Sequence, residues 1–459
     1  MAEPQRSPND TLGRLIAEAG MTYDQVARGV RAIAAERGER LMTNKSAISH
    51  WVRRGVQPSG HVGGYLAEVL SRRLGRLLLP EDLGLPSTGN NDLGLCLGPD
   101  PVETIVRVGR ADIERRDFLT SAAYSVAAAA LPLGVADEYL SRARAVRVGA
   151  NAGAADIEAV RSMTRMFTSI DERHGGQHGR TAVVQYLTTD VAALCRARFA
   201  TEEQHREMLS AAASLAYLAG WKSFDAGEMG VAQRYYLQAY ALTREADNEA
   251  HQAFVLRILA HHGMDAQRPE HVLGLADLAL SRARAAKIDP ATESRFVICR
   301  ARALALSGRK QEAVAEAIRA GDIAQAADPD GTAEWAAMWG SATATVASNT
   351  AKVLSAVGDF KAAESFHTTA AKRYSGTEHR RIRALSLAAA GRMQSAQGHV
   401  EQACGTWSTA LDLLEGVRSQ RVRDAVKRMR TDLARFQRRG VRSAVELDER
   451  ARQWAGASA

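Results

Sequence analysis

The chain has 459 residues and a net charge of +8 at pH 7, and 46% of its residues are hydrophobic while 24% are charged. This length exceeds what one hydrophobic core usually serves, so we expect two or three domains of a soluble globular protein. No stretch reaches the roughly 18–20 apolar residues of a membrane helix, which argues against a membrane partner. The abundance of Ala and Arg and the scarcity of aromatic residues and Pro favour helix over strand.

Positive charge is concentrated near the two ends of the chain. Residues 37–76 hold eight basic and two acidic side chains, and residues 418–452 hold twelve and five, so the remainder is net acidic. Neutralisation of DNA phosphates explains the N-terminal excess. For the C-terminal excess we favour a solvated helix face over a second DNA contact, because charge runs usually face solvent. The side chains concerned there are Arg421, Lys427, Arg428, Arg438, Arg439 and Arg442.

Amphipathic helices in series are predicted at the start of the chain. The first ends at Gly20, and Thr22 caps the second. The third lies in TNKSAISHWVRRGVQP, residues 43–58, where Thr43 or Asn44 can cap the helix and the later Gly and Pro end it. Its apolar stripe consists of Ala47, Ile48, Trp51 and Val52, and a closing helix follows with Val62, Tyr65, Leu66, Val69 and Leu70.

The third helix presents a short polar face backed by apolar packing, which suits a helix that lies in the DNA major groove. In their order, the segments resemble the phage-repressor-like (Xre-type) helix-turn-helix family over about residues 10–80, although the segment Ile33–Met42 is longer than that family's usual turn. A protein-binding or merely structural helical module is the alternative. The candidate DNA-binding residues are Asn44, Lys45, Ser46, Ser49, His50, Arg53 and Arg54.

Two segments separate this module from the rest of the chain. Leu85–Pro101 concentrates Gly, Pro, Asn and Asp, which predicts a loop or linker. Glu114–Leu119 with the small apolar run to Leu133 imitates a twin-arginine export signal. Because it lies more than a hundred residues into the chain, we interpret it as the start of a helix with Asp117 near its N-terminal dipole.

An internal repeat follows. Gly227, Ala232, Tyr236 and Ala239 define offsets that return from Gly398, and the small positions return from Gly308 and Gly358, with a weaker copy around Arg268. Such spacing indicates helical hairpins in series, with Gly at the turn and Ala where helices approach closely. The pattern resembles the tetratricopeptide (TPR) family, and an unrelated α-solenoid is the alternative.

In a TPR array the first helix of each hairpin lines the concave surface. The resemblance therefore implies a groove whose positions, six residues before each turn, are mostly cationic and suit an acidic or peptide-like ligand. A solvated groove, or one filled by the chain itself, is the alternative. The candidate ligand residues are Trp221, His262, Arg302, Asn349, Lys352 and Arg392.

Catalytic and metal chemistry find little support. The P-loop, GxSxG and HEXXH motifs are absent, so we expect no enzyme and no cofactor. His174 with His178, and His261 with His262, lack an acidic or thiol partner at metal-binding spacing. The widely spaced Cys96, Cys195, Cys299 and Cys404 are interpreted as buried side chains in a reducing cytoplasm.

Together these features predict an all-α protein with an N-terminal helix-turn-helix domain followed by a TPR-like α-solenoid of helical hairpins. The predicted parts are a DNA-binding domain at 1–85, a linker at 86–115, a helical connecting region at 116–220, repeats at 209–417 and a basic capping helix and tail at 418–459. The two parts together resemble the helix-turn-helix/TPR regulators of actinobacterial type. The resemblance implies a cytoplasmic homodimer that binds double-stranded DNA and senses a peptide, an acidic small molecule or a protein. A TPR scaffold that binds protein partners without DNA is the alternative function.

Overall fold

The computed structural model describes residues 7–36, 39–58, 62–74, 78, 80–85, 93–95, 97, 100–114, 151–266, 271–328, 332–338, 340–374 and 379–457. In these ranges the chain is helical, and the one β-type contact is an isolated bridge between Asn151 and Arg198. The all-α prediction is therefore confirmed. Within the same ranges, no helix is long and apolar enough to cross a membrane.

Helices α1 to α4 pack around a core of their own, which includes Leu12, Ile48 and Leu66. Thr22 caps the start of α2, as the sequence predicts, and Gln25 completes a reciprocal capping box with it. Of the two possible caps for α3, Asn44 is the one used, because its side chain accepts a hydrogen bond from the Ala47 amide at 3.0 Å. The bounds are α1 Asp10–Glu18, α2 Tyr23–Glu36, α3 Lys45–Arg53 and α4 Val62–Leu74, followed by a 3-10 turn at Pro80–Leu83.

The interval expected as a linker, 86–115, contains helix α5, Pro101–Glu114. Its apolar side chains are buried in the core of the repeat region, so this part of the interval is an element of the folded domain. Within Leu85–Pro101, Leu95 is also buried there, and the Gly94 carbonyl accepts a hydrogen bond from Gln238 at 3.0 Å. The polar, Gly-rich composition of this segment gives no sign of these two contacts with the folded domain. The export-signal-like run, apart from Glu114, lies outside the described residues, as do Cys96 and residues 115–150.

The connecting region begins with a long helix, α6, and continues through a helix interrupted by one π-helical turn. That turn packs on α5, where a Cβ on Gly109 would lie 2.2 Å from Thr188. Glycine at this position therefore permits the close approach of the two backbones. The bounds are α6 Ala154–His174, α7 Arg180–Tyr186, the π turn Leu187–Val191 and α8 Ala192–Cys195.

Antiparallel helical hairpins then follow one another along the chain. The pairs are α9 Glu202–Asp225 with α10 Met229–Glu245, α11 Glu249–Asp265 with α12 Val272–Ala285, α13 Pro290–Leu306 with α14 Lys310–Ala326, α16 Ala342–Val357 with α17 Phe360–Arg373, and α18 Arg380–Ala396 with α19 Val400–Leu413. A short helix, α15 Glu334–Ala337, precedes α16, and the chain ends with α20 Gln420–Gln437 and α21 Arg442–Ala457. The last two helices pack on α18 and α19, so 418–457 extends the helical layers and is not a single capping helix with a tail.

The repeat pattern of the sequence corresponds to the packing of these hairpins. Gly227, Gly308, Gly358 and Gly398 all adopt positive φ at a turn, and the Ala residues at the predicted offsets are fully buried. In the first helices, a Cβ on Gly220 would lie 2.6 Å from the Tyr236 ring, and one on Gly391 would lie 2.5 Å from Trp407. The small residue of one helix thus accommodates the aromatic residue of the next.

The late helices of the array contact its early ones. Helix α18 packs against α6, and the Arg418 amide donates a hydrogen bond to the His174 carbonyl at 2.8 Å. The buried Arg381 side chain lies within 2.6–3.0 Å of Asp171, Glu172 and Asp225, and Lys222 lies 3.2 Å from Asp171. We call these five residues the Arg381 network. It joins α18, in the last hairpin of the array, to α9, in the first, and to α6.

Candidate functional site

The first candidate site is the outer face of α3. Asn44, Lys45, Ser46, His50, Arg53 and Arg54 are exposed and Ser49 is partly exposed. On the opposite side, Ile48, Trp51 and Val52 are buried in the N-terminal core. The burial pattern therefore separates the candidate DNA-binding residues from the packing residues.

Contacts behind α3 hold the helix in place. The Asn9 amide donates to the Val52 carbonyl at 2.8 Å, and the Arg31 guanidinium donates to the Thr43 carbonyl just before the helix. Among the described residues, no carboxylate pairs with the charged groups of Lys45, Arg53 or Arg54. The helix thus presents rigidly placed cations that are available to an outside partner.

The second candidate site is a cavity of about 120 Å³ that lies mainly between the first helices of the hairpins, and we call it the central cavity. Trp221, His262, Asn349 and Lys352 line it, and Arg302 donates a hydrogen bond to Asn349 at 3.2 Å. The first helices of successive hairpins bring these residues together. Five of the six candidate ligand residues therefore share one place.

Arg392 is the exception. Its guanidinium is about half exposed and pairs with Asp432 of α20 at 3.1 Å. In α18 the cavity is lined by Ile382, which precedes Arg392 by ten residues and hence by about 15 Å along the helix. Because α20 packs beside that part of α18, the position is directed away from the cavity.

Arg302 organises the polar wall of the central cavity. Its guanidinium donates to His261 Nδ1 at 2.8 Å and to Asp265 Oδ1 at 2.9 Å. Burial favours the neutral form of Asp265, but the charges of Arg302 and Lys352 outweigh it and lower the pKa of that carboxyl. Burial, together with Arg302, lowers the pKa of His261 well below its usual value, so a neutral imidazole accepts this hydrogen bond.

The two adjacent histidines have different partners. His261 faces Arg302, whereas His262 Nε2 lies 2.8 Å from the Met229 carbonyl. Burial lowers the pKa of His262 to about 4. Both rings are thus neutral hydrogen-bonding groups of the repeat interior.

Several cavity residues were missed by sequence reasoning, which considered one position per hairpin and Asn349. They are His261, Asp265, Arg257, Arg295 and Arg421. A helix-periodicity signal was present for some of them: Arg295 precedes Arg302 by seven residues, and Arg257 precedes His261 by four. Extending the predicted position Arg302 by two turns along its helix face would have found Arg295. Arg257 lies five residues before the predicted position His262, which is not a whole number of turns, so the same rule does not find it.

Arg421 differs from the other basic C-terminal residues. We expected it on a solvated face, but its guanidinium lies over the rings of Trp221 and Phe224, at 5.1 and 5.2 Å from their centroids. It also lies 3.9 Å from Asp225. Lys427, Arg428, Arg438, Arg439 and Arg442 are exposed.

A larger cavity of about 1030 Å³, which we call the outer cavity, adjoins the central one. Glu172 and His379 belong to the walls of both. Trp335 of the short helix α15 forms part of its wall and stacks on His251 with ring centroids 5.1 Å apart, while Glu334 pairs with Arg161 of α6 at 3.3 Å. The outer cavity has the volume of a pocket for a small-molecule or peptide ligand.

A family profile described as the SP15 N-terminal domain matches residues 12–86, which contain α2 to α4 and most of α1. Among solved structures, the chain is similar to a Rap protein whose crystal structure is complexed with competence and sporulation factor. The identity is 14%, the TM-score is 0.39, and the alignment covers 66% of this chain and 98% of that chain. No curated protein matches.

Proposed function

We propose that the protein is a sequence-specific DNA-binding transcriptional regulator of the Xre-like helix-turn-helix type, with a TPR-like domain that senses a signal. The observation that carries this proposal is the free cationic face of α3, backed by a buried apolar face. A helix with these two faces can enter the major groove, where base edges offer hydrogen-bond partners and phosphates line the rim.

The candidate residues have different roles in this proposal. Lys45, Arg53 and Arg54 neutralise phosphates, and the N-terminus of α3 adds its unpaired amides. Ser49 and His50 lie on the outward part of the helix and contact base edges. Asn44 fixes the start of the helix through its hydrogen bond to the Ala47 amide.

A homodimer supplies the second reading helix. One chain offers one short recognition helix, and a single contact of this size rarely gives operator-level affinity. In the proposed dimer, two α3 helices read two half-sites, and a ligand changes the angle between them and thereby the operator affinity. The outer and central cavities supply the space for a peptide, an acidic small molecule or a segment of a protein partner.

The experiment begins with genome-wide mapping of bound sites and continues with titrations of the full-length protein on the operator found. We expect Lys45→Gln and Arg53→Gln to weaken binding and to make the dependence of log Kd on log salt shallower by about 0.9 for each phosphate that the variant no longer neutralises. Ser49→Ala and His50→Ala mainly change the base preference. Lys361→Gln, at an exposed lysine of α17, is the matched control and leaves binding unchanged.

The scaffold alternative makes the opposite prediction. A TPR adaptor without DNA binding shows no enriched operator and no difference between the α3 variants and the Lys361→Gln control. That result would overturn the proposal.

A further inference from the structure

The central cavity holds more positive charge than its carboxylates balance. Arg257, Arg295 and Lys352 line it, and among the described residues no carboxylate lies within ion-pair distance of any of the three. Arg295 donates to the Thr345 hydroxyl and to the Gly340 carbonyl, at 3.0 and 2.7 Å. The charge of this guanidinium is therefore solvated by neutral groups alone.

Arg257 is the least satisfied of the three. Its side chain is 6% exposed, its Nε has no hydrogen-bond partner, and its guanidinium lies 4.5 Å from the centroid of the Phe254 ring. Burial of a cation without a counter-charge costs several kcal/mol, so such a group is rare unless a partner binds to it.

The carboxylates of the wall do not supply that partner. Asp265 is held by Arg302 at 2.9 Å, and Glu172 is held by Arg381 at 3.0 Å. Arg302 and Arg381 thus balance the charges of both carboxylates, although Glu172 Oε2 has no hydrogen-bond partner. The net charge that faces the cavity remains positive.

The volume of the central cavity limits what can enter. About 120 Å³ is well below the roughly 300–1,000 Å³ of pockets for drug-sized ligands. A peptide therefore belongs to the outer cavity, and the central cavity suits a compact small molecule.

We infer that the central cavity binds a compact anion with at least two negative charges, of the phosphate or small polycarboxylate class, through Arg257, Arg295 and Lys352. This inference deepens the proposed function, on which its regulatory meaning rests, by naming the ligand class of the signal-sensing domain. The anion enters by way of the outer cavity and bridges α11, α13 and α16, which carry the three cations.

The ionisation of the cations agrees with this geometry. Burial lowers the pKa of Arg295 to about 10, and burial together with the charge of Arg302 lowers the pKa of Lys352 to about 7. Both shifts report an environment in which burial and neighbouring cations disfavour positive charge. An anion bound between the two side chains supplies the missing negative charge and favours their protonated forms.

The test uses the full-length protein with inorganic phosphate, succinate and citrate as probes, each compared with sodium chloride at equal ionic strength. Calorimetric titration and thermal unfolding are measured for the wild type, Arg257→Met, Lys352→Gln and the exposed-site control Lys361→Gln. We expect saturable binding and a saturable rise in Tm for the wild type and the control. Each cavity variant weakens binding at least about tenfold, because it removes a charge-assisted hydrogen bond to the anion.

In chloride alone, Arg257→Met is expected to unfold at the same temperature as the wild type or higher, because it removes an unbalanced cation. Lys352→Arg keeps the charge and retains binding. Binding of phosphate but neither carboxylate assigns the site to a phosphate, and the reverse assigns it to a carboxylate. A non-saturating rise in Tm that is equal in all variants is a general salt effect, and that result overturns the inference.

These results are independent of DNA binding. Loss of anion binding with operator binding intact overturns the central-cavity inference alone. Anion binding without operator binding overturns the proposed function and leaves the site assignment standing.

Discussion

The Arg381 network gives the sharpest prediction about what holds the late helices of the array against the early ones. Arg381 is 1% exposed and pairs with Asp171, Glu172 and Asp225, which are themselves buried. The change Arg381→Met keeps most of the volume but removes the cation that the three carboxylates share. Asp171 then keeps Lys222 and the Trp221 indole N–H, and Asp225 keeps the Gly176 amide and the more distant Arg421. Breaking a buried ion pair typically costs about 3–5 kcal/mol, so we expect a loss of this size in the free energy of unfolding at pH 7.

Arg392→Met on the same helix is the matched control. Its guanidinium pairs with Asp432 near the surface, where both side chains are partly exposed, and such pairs contribute about 0–1 kcal/mol. The assay is urea unfolding followed by circular dichroism, with small-angle X-ray scattering to detect separation of the late and early helices. A loss below about 1 kcal/mol for Arg381→Met, or a loss equal to that of the control, would show that the Arg381 network does not stabilise the contact between α18 and the early helices.

The pH dependence of the same variant has a definite sign. Burial alone raises the pKa of Asp171, but the charges of Arg381 and Lys222 hold it below the ordinary carboxyl value. The stabilisation by this carboxylate is therefore fully present above about pH 4 and is lost as the pH falls through the lowered pKa. Without Arg381, the burial of the charged Asp171 carboxylate is no longer compensated, and its protonation removes this cost. The loss in the free energy of unfolding of Arg381→Met is therefore largest near pH 7 and decreases towards pH 4.

Three further predictions concern the repeat packing, the α3 cap and the central cavity. Gly391→Ala places a Cβ 2.5 Å from the buried Trp407 and should lower the free energy of unfolding by about 1–3 kcal/mol. Gly405→Ala in α19 meets no atom within 4 Å and should raise the free energy of unfolding by up to about 1 kcal/mol. Equal effects of the two variants in thermal unfolding contradict close packing at Gly391. Asn44→Ala removes the cap of α3 and should cost about 1 kcal/mol in the unfolding of the N-terminal domain, and Asn44→Ser should restore it; no difference between the two variants argues against capping. Lys352 has a pKa of about 7, and the titratable and charged groups around it are Arg302, Asp265, His261, His367 and Arg421. Because a bound anion favours the protonated amine, anion binding at pH 8 should take up protons, which calorimetry in buffers of different ionisation enthalpy measures. Lys352→Gln should abolish this uptake, and identical uptake in that variant excludes Lys352 as its source.

Local rules predicted the helical layers of this protein well. Gly227 and Gly398 were identifiable as turns, and Ala232 and Ala403 as contact positions, because hairpins repeat the same local packing. The faces of α3 followed in the same way from helical periodicity. These features depend on neighbours within one or two turns of the chain, which the sequence shows directly.

Features that depend on contacts between late and early helices were not predictable in this way. The Arg381 network joins residues more than two hundred positions apart, and no periodicity marks such a partner. Arg421 lies in a basic run typical of a solvated face, yet contact with Trp221 gives it a different role. The Gly- and Pro-rich residues 85–101 predict a linker that runs to residue 115, whereas helix α5 already begins at Pro101.

The central claim, that α3 lies in the major groove of an operator, is tested most directly by DNA cleavage from the helix itself. Ser49→Cys, with Cys96 replaced by Ser, carries an iron chelate into the complex, and the other cysteines, Cys195, Cys299 and Cys404, are buried. We expect cleavage centred in the major groove of each half-site, and no site-specific cleavage from the same chelate on Lys361→Cys. Absence of operator cleavage from position 49 in a protein that still binds DNA would contradict it.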